Sequence, residues 1–197
     1  MRKAINVGAA VAIAATMGLM AGAGTASAAT TVIQPRFAAQ AHAGGISVAQ
    51  ADKLQQEVTS YIHEHGGAQA ALNVVDFPGG SITFAVPGEK YARDLATTHR
   101  PLAAAVACNA GAFCAYANTS YKGSEISSFN NCQSATMPWV TEGSYINQLP
   151  AVSFPPIGGT DVWYNAKNVV LYITPPSNSR NPAVNWGPVA YTNSCER

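Results

Sequence analysis

Apolar positions recur along this chain in two different rhythms, separated by a stretch with no pattern. Between Ser47 and Gly66, residues Val48, Ala51, Leu54, Val58, Tyr61 and Ile62 fall at three- and four-residue steps, which gathers them on one face of an α-helix. Ser47 and Gln50 have the spacing of a capping box, in which side-chain oxygens cover free N–H groups of the first turn. Gly66-Gly67 suits the left-handed end of that helix. Two short β-prone runs follow, Ala71 to Phe77 and Ser81 to Val86, joined through Pro78-Gly79-Gly80 and broken off by Pro87-Gly88. That is a hairpin signal. A helix and one hairpin make a thin core, so residues 47–91 are expected to pack on something else or to be only partly ordered, as an extension or a pro-region. Residues 29–46, rich in Ala, Gly and Gln, show no clean period and are expected to be flexible. Residues 92–107, with Thr97-Thr98-His99-Arg100-Pro101 and an Ala-rich run, read as a linker open to cleavage.

From Cys108 to Arg197 the rhythm changes. Candidate strands are Phe113 to Tyr116, Glu125 to Phe129, Tyr145 to Leu149, Asp161 to Tyr164, Val169 to Ile173 and Val189 to Thr192. Asn118, Gly123, Asn130-Asn131, Gly158-Gly159, Asn165 and Pro175-Pro176 separate them. Many short strands with such turns predict an antiparallel sandwich or a Greek-key barrel. The fold class is therefore mainly β, a small β-domain at 108–197 preceded by a helix-plus-hairpin extension.

The first residues change the picture of where the chain works. Arg2 and Lys3 precede an uncharged run from Ala4 to Ala23, which closes on Ala26-Ser27-Ala28. This is the pattern of a secretory signal peptide cleaved after residue 28, and it predicts a secreted, extracellular protein. The run could also be read as an anchor, but Gly8, Gly18, Gly22 and Gly24 break up the stretch and a cleavage motif follows. No membrane association is expected after cleavage. The remaining chain carries nine basic and ten acidic residues, without the basic excess a nucleic-acid partner requires. A monomer is expected.

Four cysteines, Cys108, Cys114, Cys132 and Cys195, lie in the second half. An even number in an exported chain reads as two disulfides. Their spacings, with five, 17 and 62 residues between successive cysteines, do not match the paired pattern of a zinc site. Of the three possible connectivities, Cys108–Cys114 with Cys132–Cys195 is expected. The first pair closes locally and the second then ties the domain end to end.

The same half contains no histidine, because all four lie at 42, 63, 65 and 99. Ser-His and Cys-His nucleophilic arrangements are thereby removed from it. His63 and His65, two apart on a helix, point to different sides and read as a solvated end. The acids Glu125, Glu142, Asp161 and Glu196 could supply a glycosidase pair, but no motif surrounds them. The expectation is a protein that is not an enzyme and that uses no cofactor and no metal. Tyr116, Trp139, Trp163 and Trp186 could form a sugar platform, and more often fill the core of a small β-domain.

Several motifs of this half occur together in one family. Cys108-Asn-Ala-Gly-Ala-Phe-Cys114-Ala-Tyr116, the aromatic-to-glycine interval from Tyr116 to Gly123, Asn131-Cys132, Gly143-Ser144-Tyr145-Ile146-Asn147, and Trp186-Gly187-Pro188-Val189 before Cys195 resemble, in that order, peptidase inhibitor family I36. These are actinobacterial secreted proteins whose founding type inhibits metalloproteinases. The resemblance covers about 90 residues and implies a βγ-crystallin-like Greek-key fold that inhibits an extracellular protease. It does not extend to a second short Cys-closed loop, so no reactive-site residue carries over. Pro150 to Thr160 reads as an insertion, with Phe154, Pro155, Pro156 and Ile157 as a candidate contact loop or a mere loop. Asn130-Asn131-Cys132-Gln133-Ser134-Ala135 comes near the calcium pattern of βγ-crystallin-like modules but ends in Ala and lacks an acid, so at most weak calcium binding is expected. Gly66 to Gln69 and Pro87 to Arg93 resemble leaders of other actinobacterial exported proteins, which implies a pro-segment. The alternative to inhibition is a non-enzymatic binding module for wall glycan or a surface partner.

Overall fold

A computed structural model describes residues 33–96, 108–129, 132–150 and 159–194. Expectations for residues 1–32, for most of the linker and for Cys195 lie outside them. The described chain is mainly β, with two helices and eleven strands.

Helix α2 (Val48–His65) forms as the periodicity predicts. Ser47 Oγ accepts from the Gln50 N–H while Gln50 Oε1 accepts from the Ser47 N–H, and Gly66 closes the far end with a positive φ. Ala51, Leu54, Val58 and Tyr61 are buried, whereas Val48 is exposed and belongs to the solvent face. The stretch expected to be flexible instead carries helix α1 (Pro35–Ala43). Pro35 suits a first helical position, and Phe37 and Ala41, one turn apart, are buried in the same core as α2.

The predicted hairpin is a three-stranded meander, β1 (Ala68–Ala71), β2 (Val74–Phe77) and β3 (Gly80–Thr83). The first turn falls at Leu72-Asn73, which lacks Gly and Pro. Asn73 takes their place by bonding. Its Nδ2 donates to Phe84 O and Arg93 O, and its Oδ1 accepts from the Leu95 N–H. Arg93 donates to Gly44 O and to both Glu89 oxygens, so residues 89–96 lie stitched to the loop after α1.

The remaining strands are β4 (Ala112–Asn118), β5 (Lys122–Phe129), β6 (Ser134–Thr136), β7 (Glu142–Asn147), β8 (Val162–Tyr164), β9 (Val170–Ile173), β10 (Ser179–Asn185) and β11 (Tyr191–Asn193). Two antiparallel sheets result, one ordered β1-β2-β3-β5-β4-β7-β10 and the other β6-β11-β8-β9. β6 leaves for the second sheet and β7 returns beside β4; β10 leaves for the first sheet and β11 returns beside β8. β3 pairs with β5 in register Gly80↔Ser128 to Thr83↔Glu125. The extension is thus continuous with the cysteine-bearing half, in one sheet and one hydrophobic core. Strand β10 escaped sequence reading because Ser179 to Asn185 is polar and contains Pro182, which an edge strand tolerates. Among the described residues no helix is long and apolar enough to cross a membrane.

Between the sheets, Phe113, Tyr145, Trp163 and Trp186 meet edge to face or tilted, with ring centroids 4.7–6.4 Å apart. Trp186 is fully buried and donates from Nε1 to Tyr116 O at 2.9 Å. Gly143 lies against that bond, and a Cβ there would collide with both partners. Gly143→Ala is expected to cost about 3 kcal/mol or more, from overpacking plus a broken buried hydrogen bond. Urea unfolding measures it; a loss under 1 kcal/mol would show that Trp186 is free to shift.

Candidate functional site

A cluster of buried hydrogen bonds holds the described ends of the segment between Pro150 and Gly159. Asn147, the last residue of β7, is fully buried. Its Nδ2 donates to Gly159 O (2.9 Å), Pro175 O (3.0 Å) and Thr174 Oγ1 (3.2 Å), and its Oδ1 accepts from the Leu149 N–H (3.0 Å). Thr174 Oγ1 accepts in turn from the Asp161 N–H at 2.8 Å, and Ser177 Oγ donates to Leu149 O. A Cβ on Gly159 would overlap Pro150 O and Leu149, so the two ends of the segment touch. They form a neck, clamped by one buried amide. Phe154, Pro155, Pro156 and Ile157 lie outside the described residues, and only their anchorage is visible.

Beneath the neck runs a buried polar chain. Asp161 is wholly enclosed, and Ser194 Oγ donates to its Oδ2 at 2.6 Å. Ser194 Oγ is 2.9 Å from Ser128 Oγ, which links the second sheet to β5 of the first. Trp163 Nε1 and Thr192 Oγ1 also face the carboxyl, without closing a well-formed bond to Oδ1. Burial disfavours the anion and pushes the Asp161 carboxyl up to about 8; Ser194, Trp163 and Thr192 pull the other way and do not prevail. No cation is set against it among the described ion pairs. The surroundings of Asp161 favour the neutral carboxyl over the anion.

Elsewhere the expected residues resolve as follows. Cys108 and Cys114 form a disulfide with Cα atoms 5.7 Å apart. Cys132 is also disulfide-bonded, while its expected partner Cys195 lies outside the described residues. Tyr116, Trp163 and Trp186 are buried in the core, with Trp139 packed half-buried against it. Asn130 and Asn131 are not described. Among the described residues no group of three His, Cys, Asp or Glu is placed to hold a metal.

Comparison with known families, characterised proteins and solved structures gave no match. The functional reading rests on the residues themselves.

A hollow of about 360 Å³ on the first sheet is lined by Asp76, Asp94 and Glu125. Here the chain uses its own acids: Asp94 Oδ1 accepts from the Ala96 N–H and Glu125 from Ser127 Oγ. Sequence reading named Asp161 as a candidate acid and Asn147 within a family motif, but missed the buried role of both. An isolated acid in a charge-poor half was the available signal for Asp161, but neither strand pattern nor spacing reveals burial.

Proposed function

We propose that this protein is a secreted inhibitor of an extracellular protease, a metalloproteinase first, and that it presents the segment between Pro150 and Gly159 to the enzyme. The observation that carries this reading is the neck. Asn147 fixes the two described ends of the segment, and ends held in place before binding reduce the ordering cost of association. Surface loops whose ends lie close together are frequently functional.

The family resemblance agrees with the strand connectivity. β6 leaves the first sheet between β5 and β7, and β10 leaves the second between β9 and β11, an exchange that the proposed pair of Greek keys would produce. Gly123 adopts a positive φ, and Tyr116 packs against Tyr121 inside that aromatic-to-glycine interval. The proposal includes a second disulfide from Cys132 to Cys195 and action as a monomer without catalytic residues.

The oxidised chain from Ala29 should be titrated against thermolysin-type, subtilisin-type and trypsin-type proteases. Stoichiometric loss of one activity is expected. Phe154→Ala with Ile157→Ala should raise the inhibition constant at least about tenfold, as for central apolar anchors. Asn147→Ala should weaken inhibition and also expose the neck to cleavage between Pro150 and Gly159. Unchanged inhibition by the double variant would end the loop assignment, and no inhibition of any class would end the reading.

A further inference from the structure

The two sheets have four edge strands, and three of them are blunted. β1 is Ala-Gln-Ala-Ala and β6 has three residues. β10 carries Arg180 and Pro182, and Pro182 O accepts from the Ser120 N–H. Short length, charge and proline are how natural sheets prevent further pairing. β9, though as short as β1, carries neither charge nor proline and is apolar throughout. It reads Val170-Leu171-Tyr172-Ile173, preceded by Val169, and all five are exposed, from 39% at Tyr172 to 56% at Ile173. The Thr174 N–H bonds inward to Asp161 O, so Ile173, one residue earlier, turns its own N–H and C=O away from β8.

Beside this edge opens a hollow of about 270 Å³. Trp163, Leu171, Tyr172, Val184, Pro188 and Val189 line it, between β9 of one sheet and β10 of the other. No acidic or basic side chain lines the hollow or interrupts Val169 to Thr174. The five residues leave on the order of 400 Å² of surface in water, at the size where a patch on a monomer is commonly functional. That is half of the roughly 800 Å² each partner contributes to a stable interface. The surface is too narrow for a second folded subunit and fits one extended segment.

We propose that β9 receives an extended, uncharged peptide segment of a partner protein. The segment adds antiparallel as a fifth strand of the second sheet and seats one apolar side chain in the hollow over Trp163. Backbone pairing supplies affinity and the hollow supplies selection, the general division in strand addition. This surface is independent of the inhibitory reading, because it does not use the segment between Pro150 and Gly159.

The test uses the full oxidised chain and a capped seven-residue peptide, Thr-Val-Thr-Tyr-Thr-Val-Thr. A second copy of the peptide is N-methylated at alternate amides, so that it cannot pair. Saturating peptide should slow amide exchange at Ile173 at least tenfold and shift tryptophan emission. The methylated peptide should do neither, and Val170→Lys with Ile173→Lys should weaken binding at least tenfold at unchanged melting temperature. Unaltered exchange in β9, equal binding of the methylated peptide, or equal binding by the lysine variant would overturn the proposal. So would sedimentation of the chain alone as a dimer that the lysine variant abolishes, which would give the edge to a second copy.

Discussion

A chain that begins at Cys108 is expected not to fold. Twelve of the 22 residues in the main core cluster lie between Phe37 and Leu95, so the fragment would lose more than half of that core. Ile82 faces Ile126 across β3 and β5, and removing β3 bares the β5 edge over four register positions. Fully burying one large aliphatic or aromatic side chain is worth about 1.5–3 kcal/mol, and a whole domain is stable by only about 5–15 kcal/mol. Loss of Leu54, Val58, Leu72, Val75 and Ile82, all fully buried, exhausts that margin. The fragment should lack near-ultraviolet dichroism and a cooperative melt, and the segment from Ala29 to Ala96, added in trans, should restore both. A sharp melt of the isolated fragment would overturn this. It follows that a cut between Ala96 and Cys108 would give two pieces that co-elute. Mass spectrometry after denaturation would reveal such a cut, and a single mass starting at Ala29 would count against processing.

Stability is expected to fall steeply as pH rises from 4 to 9, because of Asp161. Its carboxyl ionises near 3.8 when the chain is unfolded and near 8 in the folded state. Between those values the folded state holds a proton that the unfolded state has lost, so each rise in pH favours unfolding. The stabilisation is complete below about pH 4 and is lost as pH passes the folded value near 8. At about 1.4 kcal/mol per unit, the change is on the order of 4–6 kcal/mol. Asp161→Asn keeps an acceptor for Ser194 and carries no charge, so it should flatten the profile and exceed the parent in stability above pH 8. Urea unfolding across pH 4–9 reads both. A flat parent profile would mean that water reaches the carboxyl. The high value for Tyr61, pushed up to about 12 by burial, acts only well above this window.

The parts of the fold that local chemistry determines were legible in the sequence. Ser47, Gln50 and Gly66 bound α2, and its apolar rhythm names all four of its buried apolar residues but also Val48, which is exposed. The strands from Phe113, Glu125, Tyr145, Asp161, Val169 and Val189 were found within a few residues of their observed limits. What failed depended on distant partners. Thr97 to Pro101 reads as a boundary because it breaks pattern, yet pairing between β3 and β5 passes over it. The turn at Leu72-Asn73 is held by bonds to Phe84, Arg93 and Leu95, none adjacent in sequence. β10 looks like a loop, since Pro182 and three neighbouring polar residues obscure a strand that only β7 organises. The neck was half legible: Gly158-Gly159 marked a turn, while the Asn147 clamp required knowledge of burial.

Strand β11 lies inside its sheet, between β6 and β8, and this imposes an order in time. While a ribosome is still making Tyr191 to Ser194, β6 and β8 have no neighbour to join them, and Asp161 and Ser128 lack the hydroxyl that bridges them. Everything before that point can collapse but cannot close. The nascent chain must therefore wait, unfinished and open to capture by helper proteins, until residues far along its length arrive. Pairings between such distant segments are slow to form.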